Sequence, residues 1–196
     1  MTSNIQKIGA IFGSCVLLFM AIVSGNAQAH SSSNSYITFS TQDQISVLRV
    51  DVNLRDIDLV FDLDQNKDGK VSWGETLAKT TEIKAWLEQG IALSRTHQKC
   101  SLTQMNMKAS DHADGTYLSV EWAVACSGAE QEEPAGLSLR YGLMFDQDNL
   151  HRALVKIDLP DAQSSAILSP DRPEVSLTKA NDSVPRVLAR YLIEGI

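Results

Sequence analysis

The chain has 196 residues, with Lys+Arg 17 against Asp+Glu 24 and a formal net charge of -7 at pH 7. So acidic a chain, with no basic run anywhere, argues against nucleic acid or anionic lipid as a partner. The remaining composition is ordinary for a globular protein, 43% hydrophobic and 21% charged.

Lys7 is the only charged residue before Asp43, and an apolar run follows it from Ile8 to Val23. Small and polar residues then lead to Ala27-Gln28-Ala29, an A-x-A cleavage site. The run is shorter than the roughly 20 residues of a membrane span. The pattern predicts a signal peptide over 1–29, cleaved after Ala29, and export to the periplasm; an uncleaved anchor is the alternative. Cys15 is no lipoprotein anchor, because Val16-Leu17-Leu18-Phe19-Met20 carries the apolar run past it. Removal of the signal leaves one domain, residues 30–183, and two cysteines, Cys100 and Cys126. In an oxidising compartment that pair reads as a disulfide.

From Tyr36 to Leu54 the residues alternate: Tyr36, Thr38 and Ser40 face one way, Ile37 and Phe39 the other. Val50, Val52 and Leu54 alternate with Arg49, Asp51 and Asn53. Period two predicts strands. The spacing changes at Ile57, Val60 and Leu63, which suits a short helix. After Glu75, residues Leu77, Ile83, Trp86, Leu87 and Ile91 predict one amphipathic helix of about four turns, stopped near Gly90. Strands return after Cys100. Leu102, Met105 and Met107 precede Asp111-His112-Ala113-Asp114-Gly115, and Tyr117 to Cys126 alternates again. An Asp-Gly pair between two alternating runs predicts a hairpin. Its midpoint at position 113 sets Cys100 opposite Cys126, a closure contributing about 3–4 kcal/mol. A polar loop spans Ser127 to Gly136. Strands are expected at Leu137 to Phe145, Ala153 to Leu159, Ser165 to Leu168 and Val175 to Leu177. A helix begins in the tail, 184–196, with Pro185 in its first turn. The fold class is α+β: a mainly antiparallel β domain with an inserted EF-hand-like helix–loop–helix at about 56–90.

The segment between those helices is Asp64-Gln65-Asn66-Lys67-Asp68-Gly69-Lys70-Val71-Ser72-Trp73-Gly74-Glu75. An EF-hand loop takes side-chain oxygens at its first, third and fifth places, glycine at the sixth, a carbonyl at the seventh and a bidentate Glu at the twelfth. Asp64, Asn66, Asp68, Gly69, Lys70 and Glu75 match, with Ser72 at the ninth place for a direct or water-mediated contact. Calcium is large and hard and takes six to eight oxygens, which this set supplies. The competing reading is a solvated Asp/Asn/Gly turn. A pairing loop is not found. Ser110 to Glu121 has poor first and third places and alternates as a strand, and Asp146-Gln147-Asp148 has no following glycine or distal Glu. A solitary site implies calcium held structurally rather than as a switch.

Other candidates carry less. His30, at the new N-terminus, offers an amine and an imidazole to copper or nickel, against the plain reading of a residue that follows a cleavage site. His97, His112 and His151 stand among polar residues and read as surface histidines. Asp111, His112 and Asp114 read as a polar turn. Trp73 packs from within the loop onto a strand; Trp86 and Trp122 belong to the core. No nucleophile elbow, zincin helix, phosphate loop or C-x-x-C occurs, so no enzyme is expected. The oligomeric state is not legible.

Several segments, in order, carry a resemblance. They are Ala29-His30, Ser35-Tyr36-Ile37-Thr38, Leu54-Arg55-Asp56-Ile57-Asp58 and the acidic loop ending Ser72-Trp73-Gly74-Glu75. Further on come Asp114-Gly115-Thr116-Tyr117, Tyr141-Gly142-Leu143-Met144-Phe145-Asp146, Leu168-Ser169-Pro170 and Glu194-Gly195-Ile196. Together they resemble the extracytoplasmic N-terminal region of HupE/UreJ-type membrane proteins, which are linked to nickel or cobalt handling. The resemblance implies, as a second reading, a soluble accessory domain of a metal transporter, with a membrane protein as partner. In that family the Glu-Gly segment leads into a His- and Asp-bearing transmembrane bundle, and this chain stops at Ile196, just before it. The bundle's transport residues therefore have no counterparts here.

Overall fold

Ser35, Ile37 and Phe39 are buried while Tyr36, Thr38 and Ser40 between them are half-exposed, the period-two pattern that a sheet with one covered face requires. The computed structural model describes residues 33–126, 136–160 and 162–177. The signal over 1–29, most of the Ser127–Gly136 loop and the tail from Val184 lie outside them. Among the described residues there are ten strands and three helices. The strands are β1 (Asn34–Gln42), β2 (Ile45–Asn53), β3 (Ile91–Arg95), β4 (Gln98–Lys99), β5 (Ser101–His112), β6 (Gly115–Ala125), β7 (Leu137–Tyr141), β8 (Arg152–Leu159), β9 (Ala162–Leu168) and β10 (Glu174–Ser176). The helices α1 (Leu54–Phe61), α2 (Trp73–Ala78) and α3 (Thr80–Gly90) all fall between β2 and β3.

One sheet has six strands in the order β5-β6-β2-β1-β8-β9, the other four in the order β10-β7-β3-β4. All pairings are antiparallel except β1 with β8, which run parallel with Ile37 beside Val155 and Phe39 beside Ile157. The chain is thus mainly β with antiparallel-rich sheets, as expected; the parallel pair was not. Both sheets contribute to one apolar cluster: Ile37, Phe39, Val50, Leu118, Val120 and Trp122 from the larger, Ile91, Leu93, Leu139 and Tyr141 from the smaller. Ile57, Leu63, Ile83 and Leu87 of the helical segment close it. Each fully buried aliphatic side chain contributes about 1.5–3 kcal/mol. Trp86 is only half-buried and meets Phe61 edge-on, ring centroids 5.7 Å apart.

The β5–β6 hairpin forms, but its geometry differs from the regular one. His112 pairs with Gly115, so the two-residue turn is Ala113-Asp114 rather than Asp114-Gly115. Continued evenly, that register would bring Cys100 opposite position 127. A bulge between Thr103 and Asn106 sets two β5 residues against Trp122 and shifts the register by one. Ser101 then pairs with Ala125, and the Cys100–Cys126 disulfide closes with Cα atoms 4.3 Å apart.

Three expected bounds are corrected. The single four-turn helix is two helices, broken at Lys79. The Thr80 hydroxyl donates to the Leu77 carbonyl (2.7 Å), and the Thr76 hydroxyl to the Ser72 carbonyl (3.1 Å), so side chains compete for helix acceptors. The strand expected to reach Phe145 ends at Tyr141, because Met144 takes a left-handed conformation and its carbonyl accepts the Gln147 and Asp148 amides. The strand expected from Ser165 starts at Ala162. Gly90 does stop α3, and β3 follows at once. A Cβ there would lie 2.1 Å from Leu143 Cδ2, and the Gly90 carbonyl accepts the Gly142 amide at 2.8 Å. Any side chain there would force the buried Leu143 to move.

Candidate metal centre

The helix before the loop is tied at both ends by side chains. Asn53 caps α1 by accepting the Arg55 amide at 2.9 Å. At the other end Asp62 turns left-handed and returns its amide to the Asp58 carbonyl at 2.8 Å. The Asp58 carboxylate accepts the Leu63 amide at 2.7 Å and the Asp64 amide at 3.0 Å. Leu63 is fully buried, so the first loop residue hangs from a core anchor and a carboxylate cap.

Within the loop the acidic side chains wind the backbone around themselves. Asp64 accepts the Asp68 amide (3.1 Å) on one oxygen and the Gly69 amide (2.8 Å) on the other. Asn66 accepts the Asp68 amide at 2.9 Å, and Asp68 the Lys70 amide at 2.9 Å. Gly69 has φ +80 with open space around it, so the backbone angle, not crowding, demands glycine. Asp64 is half-buried and residues 65–70 are exposed. Val71 and Trp73 are partly buried and pack onto the core.

Ser72 and Glu75 do something the spacing also encodes but that was not read from it. Ser-x-x-Glu is a capping box. Ser72 accepts the Glu75 amide at 3.3 Å; the Glu75 carboxylate accepts the Ser72 amide (2.9 Å) and hydroxyl (2.7 Å), opening α2. Its other oxygen accepts the Gln65 amide at 3.2 Å, tying the loop's end to its start. These bonds, the Ser72 amide first, hold the Glu75 carboxyl below its ordinary range. Among the described residues no three His, Cys, Asp or Glu side chains are gathered around one point. The donor set nevertheless fits a hard cation. It is all oxygen, and a carboxylate with about four lone-pair sites keeps acceptor capacity beyond one or two amide bonds. Lys70 contributes only its backbone, and its side chain is exposed.

Two polar clusters escaped the sequence. His151, expected at the surface, is fully buried. Its Nδ1 lies 2.5 Å from Ser33 Oγ and its Nε2 2.9 Å from the Tyr141 hydroxyl. Ser33 donates to Asp56 at 2.7 Å, and Tyr141 bonds Ser35 at 2.7 Å. Burial pulls the His151 pKa down to about 4 and raises those of Asp56 and Tyr141. His112 is also no free surface residue. It stacks on Tyr36 with centroids 4.7 Å apart, and its Nε2 lies 2.9 Å from Asp51, which a bidentate Arg49 holds at 2.9 Å. Burial would raise the Asp51 carboxyl, but Arg49, Ser119 and His112 outweigh it and keep it below the ordinary range. His97 is exposed, as expected. Sequence offered one hint of the inward cluster: Ser35 shares the buried face of β1 with Ile37 and Phe39, where a polar residue needs a partner.

No protein-family model matches the chain, and no curated protein matches it. The functional reading rests on the residues themselves.

Proposed function

We propose that residues 64–75 form a single calcium-binding loop of EF-hand type, in a non-enzymatic, exported protein, and that the calcium is structural. The observation that carries this reading is the succession of side-chain-to-amide bonds. The first-place Asp64 accepts the amides of the fifth and sixth places while Asn66 and Asp68 each turn the residue two places on. This winding holds the side chains of the first, third and fifth places within one short turn, and the sixth-place Gly69 supplies the angle that turn needs. Asp64, Asn66 and Asp68 would hold the ion by side chains, Lys70 by its carbonyl, Ser72 directly or through water, and Glu75 by both oxygens. Three carboxylates against a dipositive ion favour binding, and a site of this size and flexibility suits calcium better than magnesium, which dehydrates reluctantly.

The structural role follows from what the loop joins. Leu63 at one end is in the core, and Val71 and Trp73 at the other pack against it. An ion between them would fasten α1 to α2. Without a pairing loop the affinity falls in the weak range of extracellular modules, about 0.1–1 mM, which suits constitutive filling.

Trp73 lies within the loop, so its fluorescence should change saturably on calcium titration. Glu75→Gln should abolish the change while keeping α2, because Gln also serves a capping box. No change in the unsubstituted protein up to about 10 mM calcium, above the weakest class of such sites, would sink the proposal.

A further inference from the structure

The buried chain Asp56–Ser33–His151–Tyr141–Ser35 is independent of the loop. It joins four parts of the fold: the lead-in to β1 at Ser33, α1 through Asp56, β7 through Tyr141 and the start of β8 through His151. Ser35, Tyr141 and His151 are fully buried and Asp56 is 4% exposed. An ionisable carboxyl and an imidazole are seldom sealed together at no cost.

A serine hydroxyl has one proton to give and can accept two. With Asp56 ionised and His151 neutral, Ser33 donates to Asp56 and accepts Nδ1–H, while the Tyr141 hydroxyl turns from Ser35, to which it donates in the structure, to Nε2, and Ser35 donates to Tyr141 in turn. One added proton leaves the chain equally complete. If it rests on Asp56, that group donates to Ser33 and Ser33 turns its own proton to Nδ1. If it rests on His151, Ser33 still serves Asp56. In both cases Nε2–H donates to Tyr141, which passes its proton to Ser35. A second proton breaks the pattern. Protonated Asp56 and imidazolium would both point donors at Ser33, whose own proton would lose its acceptor, and an uncompensated positive charge would be buried.

We propose that this chain is a proton-linked latch on α1: Asp56 and His151 hold one proton as a unit through Ser33, and entry of a second releases Asp56, and with it α1, from the sheets. Charges around it are mixed. Asp148 and Arg152 act on His151 in opposite senses, and Asp148 and Asp114 oppose Arg55 at Asp56. Burial lowers His151 to about 4 and raises Asp56 from its ordinary value, so the two titrations approach each other and belong to the pair. Release is expected on the acid side, below about pH 4.

The test uses the full chain in chelator, so that the calcium loop plays no part. The His151 ring nitrogens and the Asp56 carboxyl carbon are followed by NMR from about pH 8 to about pH 3, a span covering both ordinary values. Both groups should report the same two apparent steps, and in Ser33→Ala, where only the direct 4.0 Å approach of His151 Nδ1 to the Asp56 carboxylate remains, the coupling should weaken. Amide protection in α1 should fall about tenfold or more across the lower step, as for a one-unit linkage, while β2 keeps its protection. In Asp56→Asn, Ser33 keeps an acceptor when His151 is charged, so α1 should stay protected there. A His151 titration that is the same in the parent and in Ser33→Ala overturns the proton shared through Ser33. Loss of protection in α1 and β2 together overturns the latch.

Discussion

Glu75 has two uses for one carboxylate, and they can be separated. As the third residue of α2 it closes a capping box on Ser72; as the twelfth place of the loop it is the expected bidentate ligand. Ser72→Ala removes the cap and should lower stability by about 1 kcal/mol in urea denaturation without calcium. Glu75→Gln keeps a capping-box partner, should cost less than Ser72→Ala, and should remove the calcium response. A calcium response that survives Glu75→Gln would mean that the carboxylate only caps. His151 makes a second residue-scale expectation. Its folded pKa, about 4, lies below the unfolded value of 6.5, so the folded state binds fewer protons. The stability this contributes is full above the unfolded value and is lost as pH falls towards about 4. Asp56 acts in the opposite sense. Its raised pKa makes the folded form the better proton binder, so it costs stability at neutral pH and returns it on acidification. Asp56→Asn should therefore be at least as stable as the parent at neutral pH, as read from the denaturation midpoint.

At the scale of elements, closeness of approach decides more than propensity. Gly90 ends α3 and starts β3 without an intervening residue, with its carbonyl on the Gly142 amide and Leu143 where a Cβ would stand. Gly90→Ala, usually mild or stabilising at a helix end, should here cost about 1–3 kcal/mol because the Leu143 side chain has to move. A thermal midpoint unchanged by the substitution would show that Leu143 relaxes freely. The β5–β6 hairpin teaches a similar lesson. Its turn and its disulfide are one register apart, and the bulge between Thr103 and Asn106 reconciles them.

For the whole molecule, the six-stranded sheet closes only because β1 accepts β2 on one side and β8, parallel, on the other. More than a hundred residues of chain separate β1 from β8. Such non-local pairing has to overcome a large loop-closure entropy, and the Cys100–Cys126 bridge offsets part of it within the β5–β6 arm. Reduction, or a Cys126→Ser/Cys100→Ser double substitution, should lower unfolding free energy by about 3 kcal/mol. The measurement is urea denaturation with and without reductant. Coincident curves would show that the bridge adds nothing.

The order of these scales is also the order of legibility. Alternation in β1, β2 and β6, the pairing of two cysteines across a hairpin, the stop at Gly90 and the twelve-residue acidic loop were all read from sequence. Each is written in neighbouring residues, through a period, a turn or a fixed spacing. The break at Lys79 was missed because threonine hydroxyls compete with the helix only once their carbonyl acceptors are in place. The inward turn of Asp56 and His151 was missed for a larger reason. Nothing near Leu150-His151-Arg152 marks that histidine as buried; it is buried because parallel β8 brings its start beside Ser33 and beneath α1. By itself the sequence determined most of the strands, though not β3 or β4, along with the bridge and the candidate calcium loop, since local chemistry suffices for each. The tertiary structure alone decided which polar groups meet in the interior, because that depends on which distant strands pair.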